Sequence, residues 1–155
     1  MAHVQKQIRD AAITLLNAAA GDTTWRRAYG MSQTLARDLL PYVLVYFADE
    51  VIEPDDVHGQ ELVRESLLTV RARVRILGDG ELLEDSMDAV AAAVESALTR
   101  SALNALLSNK LYLFTLTATV RDSEAEDENE RSFAEVVLDY RVQYATADGQ
   151  PETLI

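Results

Sequence analysis

Apolar and polar residues alternate strictly from position 68 onward. Leu68, Val70, Ala72, Val74 and Ile76 fall on one side of an extended chain, and Thr69, Arg71, Arg73 and Arg75 fall on the other. A period of two predicts a strand with one buried face and one wet face. The same period returns near the C-terminus. Ala134, Val136, Leu138, Tyr140, Val142 and Tyr144 oppose Glu135, Asp139, Arg141 and Gln143, which predicts a strand over 132–146. Over 110–122, Tyr112, Phe114, Leu116, Ala118 and Val120 alternate with Leu113, Thr115, Thr117 and Thr119, and a third strand is expected there. The stretch 42–47, Tyr-Val-Leu-Val-Tyr-Phe after Pro41, is apolar on both sides. It reads as a strand covered on both faces.

Two stretches carry the helical period instead. Val4, Ile8, Ala11, Leu15 and Ala19 recur at helical spacing with Ala12 and Leu16 beside them, while Lys6, Arg9 and Asp10 lie opposite. A helix is predicted over 3–20, with Gly21 at its C′ position. A second helix is predicted from an N-cap at Asp79 to about Thr99. Its stripe is Leu83, Met87, Val90, Val94, Ala97 and Leu98, with acids in its first turn and Arg100 at its C-terminal end. Its alanines allow close approach to a sheet. Thr23, Thr24, Trp25 and Tyr29 favour a short strand over 23–29. The stretch 30–40 reads either as loop or as holding a turn of helix over 34–39. Residues 48–60 carry acids, Pro54 and Gly59, and read as a loop or an excursion hairpin. Residues 101–109 are expected to be a connector, and 147–155 a tail. The element order is α-β-β-β-α-β-β. The fold class is α+β, a mostly antiparallel mixed sheet of about five strands with two helices on the face carrying Val70, Val74, Tyr140 and Val142.

The 155 residues suit one domain, 1–155, with a sizeable core. The chain has no cysteine, which excludes a disulfide framework and thiolate metal sites and suits a reducing compartment. The N-terminus has no apolar signal-like region, and the longest apolar run is too short for a bilayer, so no membrane is expected. A formal net charge of −12 argues against non-specific nucleic-acid binding over the whole surface. The charge is uneven. Acids cluster over 48–61, including Asp55 and Asp56, and over 122–131, including Glu126, Asp127 and Glu128. Such blocks are expected to be flexible, solvated loops.

Searches for chemistry return little. No Walker-type phosphate loop occurs, and Gly78-Asp-Gly80 reads as a turn. Gly30-Met-Ser-Gln-Thr34 lacks the second glycine of a nucleophile elbow. Of the two histidines, His3 is near the terminus and His58, beside Asp55 and Asp56, lacks a paired ligand. The loop from Asp122 fails the EF-hand template, with Asp127 at the turn-glycine position and Phe133 at the twelfth. No catalytic residue, cofactor or metal site is expected. The arginine row is the remaining feature. Same-face neighbours on a strand lie about 6.5–7 Å apart, so Arg71, Arg73 and Arg75 repel unless acids face them. Glu135 and Asp139 are suitable cross-strand partners. The row reads as an ion-paired, solvated face, as a contact surface for an acidic partner or a second copy, or as a nucleic-acid contact.

The whole pattern resembles the phage tail terminator proteins, also called minor tail protein U or tail completion proteins of long-tailed phages. Four segments carry the resemblance: the helical start Gln7-Ile-Arg-Asp-Ala-Ala-Ile-Thr-Leu-Leu16, the strand after proline Leu40-Pro-Tyr-Val-Leu-Val-Tyr46, the long charged strand 62–76 leading into an Ala/Val-rich helix, and the ending Val136-Val-Leu-Asp-Tyr-Arg-Val-Gln-Tyr-Ala-Thr-Ala-Asp-Gly149. It covers nearly the whole chain in element order, though its motifs are structural patterns. The family's stretch before the last strand is often shorter and less acidic. The resemblance implies a structural virion protein, not an enzyme, made in the host cytoplasm. It would form a homohexameric ring on the head-proximal end of the tail tube, touching the major tail tube protein and the head connector or neck protein. Phage DNA would pass through its lumen without specific recognition. Arg71, Arg73, Arg75, Arg141 and Asp139, with the acids Asp55, Asp56, Glu126, Asp127 and Glu128, are the candidate interface residues. The alternatives are another neck or head-closure component, or a dimeric cytoplasmic module binding an acidic small ligand through Arg71, Arg73 and Arg75.

Overall fold

The computed structural model describes residues 2–21, 24–54, 61–75, 80–122 and 133–155. In chain order the elements are α1 (Val4–Ala18), β1 (Arg27–Tyr29), a 3-10 turn (Arg37–Leu39), β2 (Tyr42–Pro54), β3 (Glu61–Arg75), α2 (Gly80–Ala97), α3 (Arg100–Leu106), β4 (Leu111–Asp122), β5 (Phe133–Ala147) and β6 (Gln150–Leu154). The sheet order is β1-β2-β3-β5-β4, with β6 paired to the end of β5. Among the described residues only β1 and β2 run parallel, and every other pairing is antiparallel. This is the α+β class that the alternation predicts.

The central ladder is β3 against β5, fifteen residues long on each strand. Its register sets Val70 opposite Leu138, Ala72 opposite Val136 and Val74 opposite Ala134. Those residues pack with Val43, Val45, Tyr140 and Val142 against Ile8 and Leu16 of α1 and Met87, Val90 and Val94 of α2. The helices therefore cover the face that the period of two assigns to the core. Trp25 is fully buried and donates its indole N–H to the Leu16 carbonyl at 2.8 Å, which ties the strand entry to the end of α1. Of the strand expected over 23–29, the described residues form only Arg27–Tyr29. Gly30 follows β1 where the backbone passes close to α1. A Cβ there would meet Ile13 Cδ1 at 2.9 Å.

Three expectations need correction, and a fourth is decided between its two readings. The 101–109 connector is helical: Thr99 caps α3 by accepting from the Ala102 N–H. Asn104 then binds both backbone groups of Leu111, at 2.9 and 3.3 Å, across a turn in which Ser108 and Asn109 take left-handed φ of 57° and 60°. The 147–155 tail is a strand. Gly149, φ 74°, turns the chain back, and Leu154 closes the edge of the core. Much of the 48–61 segment is also strand, because β2 continues to Pro54 and pairs with β3 down to Leu62. Of the two readings offered for it, the hairpin holds over the described residues. Finally, Gly21 does not cap α1. Ala19 does, and the Gly21 N–H binds the Trp25 carbonyl.

Bulges in β2 and β4 move three residues out of phase. Ala48 in β2 and Tyr112 and Thr117 in β4 have no ladder partner. In β4 this places Phe114 and Leu116 on the helix face but Ala118 and Val120 on the other, so the simple alternation expected for 110–122 breaks after Leu116.

Candidate interaction surfaces

The sheet face away from the helices carries Tyr42, Leu44 and Tyr46 of β2, Thr69, Arg71, Arg73 and Arg75 of β3, Glu135, Asp139 and Arg141 of β5, and Thr115 of β4. Segment 31–40 covers one corner of it. There Leu40, Tyr42 and Leu44 form a second small core with Leu35 and Phe133. Arg73 is 5% exposed in this corner. It donates to Glu135 at 2.7 Å, to Thr34 Oγ1 at 2.9 Å and to the Tyr42 hydroxyl at 3.3 Å, and it lies over the Phe133 ring. Burial is the largest effect and works against its charge, yet the hydrogen bonds to Tyr42 and Glu135 and the charge attraction of both together raise its pKa. Arg73 is thus an interior strut.

The other candidates spread along the same face. Arg71 is partly exposed, 3.4 Å from Glu135 and near the Tyr46 ring. Arg75 is exposed at the end of β3. Asp139 accepts from Thr69 Oγ1 at 2.9 Å. Arg141 grips Glu65 with two bonds of 2.7 and 2.8 Å in the open. That hydrogen bonding outweighs a smaller opposing effect of burial and, with direct charge attraction, holds the Glu65 carboxyl below its ordinary range. The structure therefore gathers Arg71 and Arg73 around Glu135, and sets Arg141 apart with Glu65. Asp55, Asp56, Glu126, Asp127 and Glu128 lie outside the described residues, as do His58 and Asp79. Among the described residues, no cluster of three His, Cys, Asp or Glu could hold a metal ion, and no helix is long and apolar enough to cross a membrane.

A polar cluster that sequence reasoning missed lies on the helix side, where β2 and β3 run past the start of α1. Arg64 is buried, donating to Thr146 Oγ1 at 2.9 Å and to both Glu50 oxygens at 3.3 Å. Tyr144 donates to Glu50 at 2.7 Å and shares a 3.2 Å bond with Ser66, and Gln5 reaches Ser66 from α1. Burial pushes the Tyr144 phenol up; the Ser66 bond opposes this and Glu50 adds to it. The signal was present: the period of two, extended back from Leu68, places Ser66 and Arg64 on the core side.

On the same rungs, the described end of the β2–β3 hairpin is an arm with apolar residues on both faces. Val51 is 59% exposed on the open face and Ile52 is 47% exposed on the helix side. Among the described residues the sheet also has two long borders: the outer side of β2 pairs with β1 only over Tyr42, Val43 and Leu44, and β4 pairs only with β5. The border of β6 is different. Its carbonyls are occupied by side chains: Gln7 donates to Glu152, Lys110 to Leu154 and Tyr112 to Ile155.

No family model matches this chain, and no curated protein does. Among solved structures, it is similar to a chain of the virion of a native gene transfer agent particle. The TM-score is 0.54 at 13% identity, covering 93% of this chain and 96% of that one. A likeness at this identity, spanning both chains almost end to end, establishes a shared fold.

Proposed function

We propose that this chain is a structural virion protein that caps the head-proximal end of a phage tail tube, ends tube growth and offers the surface for head–tail joining. The observation that carries the reading is the end-to-end fold likeness to a chain of a gene transfer agent virion. The sequence resemblance to tail terminators points the same way, through the proline-entered strand, the long charged strand and the closing strand. The chemistry asked of such a protein is mechanical: a rigid body with opposed contact surfaces and no bond made or broken. The long β3–β5 ladder, packed against the helices on one face, supplies the rigidity. A net charge of −12 suits a ring around passing DNA, since carboxylates repel phosphates and displace no counterions. The partners would be further copies in a hexameric ring, the major tail tube protein and the head connector.

The test is to polymerise the tail tube protein with and without the purified chain and to image the products. Capping predicts tubes arrested in length with a ring of added density at one end only. Tubes of unchanged length with bare ends sink the reading. Light scattering across concentration and salt gives the ring's mass. A concentration-independent dimer favours the small-ligand module.

A further inference from the structure

We propose that the outer border of β4 in one copy pairs, antiparallel, with the open border of β2 in the next copy, so that the sheet continues across subunits. This rests on the ring reading above and names its joint.

Natural proteins protect sheet borders with charge, proline, bulges or side-chain caps, because an unpaired row of N–H and C=O groups is a template for another strand. Here the protection is uneven. The β6 border is capped by Gln7, Lys110 and Tyr112. The β4 border carries bulges at Tyr112 and Thr117 but is long, and its stretch 111–120 reads Leu-Tyr-Leu-Phe-Thr-Leu-Thr-Ala-Thr-Val, without a charge. Val120 on it is 57% exposed. Threonine and aromatic residues favour extended pairing. The open stretch of β2, 45–54, has no strand on its outer side among the described residues.

Three observations select β2 of a second copy as the occupant. The first is direction. β2 is antiparallel to β3, β3 to β5 and β5 to β4, so β4 runs opposite to β2. Copies related by rotation about an axis along the strands therefore bring the two borders together antiparallel, the stronger ladder. The second is level. Following the register across the sheet, Val45 aligns with Val70, Leu138 and Thr119, and Ile52 aligns with Arg64, Tyr144 and Leu111. The open part of β2 thus stands at the height of the uncharged part of β4. The third is charge. Two β2 borders placed together would set Asp49, Glu50 and Glu53 against their own kind, whereas the 111–120 stretch of β4 carries no acid. A β4–β4 pair closes at two copies and leaves both β2 borders open. The β4–β2 pair is heterologous and uses each border once per copy, as a ring requires.

The chain has no cysteine, so pairs of introduced cysteines report the joint directly. Asp49 is exposed on the open face, as are Thr115 and Ala118, and Leu113 lies on it too. Asp49→Cys is combined in turn with Leu113→Cys, Thr115→Cys or Ala118→Cys, which spans a slide of register in either direction. Each variant is oxidised at high concentration and again on capped tubes. At least one double variant is expected to give a ladder of covalent multiples ending at the ring size, while every single variant stays monomeric. Dimers from a single β4 cysteine, or double variants that remain monomeric, overturn the joint. If light scattering still gives a hexamer in that case, the ring reading stands without this joint; uncapped tubes and no oligomer sink both. Thr115→Lys with Val120→Lys provides a check free of oxidation. The expected result is loss of ring mass with unchanged circular dichroism and thermal midpoint. A ring of full mass from that variant also overturns the joint.

Discussion

From Tyr42 to Val45, β2 is buried on both sides, with Val43 and Val45 against the helices and Tyr42 and Leu44 beneath segment 31–40. From Asp49 to Glu53 the same strand, in the same ladder with β3, has Val51 and Ile52 in solvent and Glu50 held by Arg64 and Tyr144. The first half is fixed by packing, which is insensitive to sequence detail as long as volume is kept. The second is fixed by a few polar contacts that must all be satisfied, because burying an unpaired charge is costly. The hairpin therefore has a body whose stability is its own and an arm whose apolar surface is available to something else.

The difference can be broken from the body outward. Leu138→Ala, in the fully buried ladder, is expected to cost about 2–5 kcal/mol of folding stability, read as a lower denaturant midpoint. Glu50→Ala removes the acceptor of Arg64 and Tyr144. It is expected to cost about 1.5–3 kcal/mol, with faster amide exchange across the arm and little change around Val70. Val51→Ala is expected to alter the midpoint by no more than about 0.5 kcal/mol, while weakening oligomer formation in light scattering. A large loss of monomer stability from Val51→Ala would mean that the arm belongs to the body after all. The smallest effect concerns Glu65. Its folded pKa lies below the ordinary carboxylate value, so the stabilisation from its Arg141 pair is fully present above the unfolded pKa, near about 4.3, and is lost as pH falls through the folded value. A carbon-detected titration should find Glu65 depressed, and Arg141→Gln should return it toward the ordinary value.

The body was legible in the sequence because burial writes a period. Leu68 to Val74 and Ala134 to Tyr144 alternate since one face meets helices and the other does not, and the two-sided burial of 42–45 appears as an unbroken apolar run. The arm was less legible for the same reason. Ala-Asp-Glu-Val-Ile-Glu carries no period because its apolar residues Val51 and Ile52 are exposed while its half-buried position is the acid Glu50. β6 was hidden by Gly149, Pro151 and Glu152, residues that favour turns or solvent, and only Leu154 reaches the core. α3 is too short for its apolar period to stand out, and it is held largely by the Thr99 cap and the Asn104 clamp. For the candidate surface, the alternation put Arg71, Arg73 and Arg141 on the correct face and indicated Glu135 as a partner. It could not separate buried Arg73 from exposed Arg75, because that depends on segment 31–40 folding over one corner, a tertiary event with no local period.

Ala48 occupies no rung of the β2–β3 ladder: Phe47 faces Leu68 and Asp49 faces Leu67, with Ala48 between them. Below it odd-numbered residues look toward the helices, and above it even-numbered ones do. An extra residue of this kind bends its strand and tightens the local twist. Deleting Ala48 leaves every other pair in place, so the Glu50–Arg64 contact survives while the bend is lost. Ala48 is thus a steering position: one residue sets the heading of the arm without touching what the arm presents, and a lineage could re-aim it by a single codon.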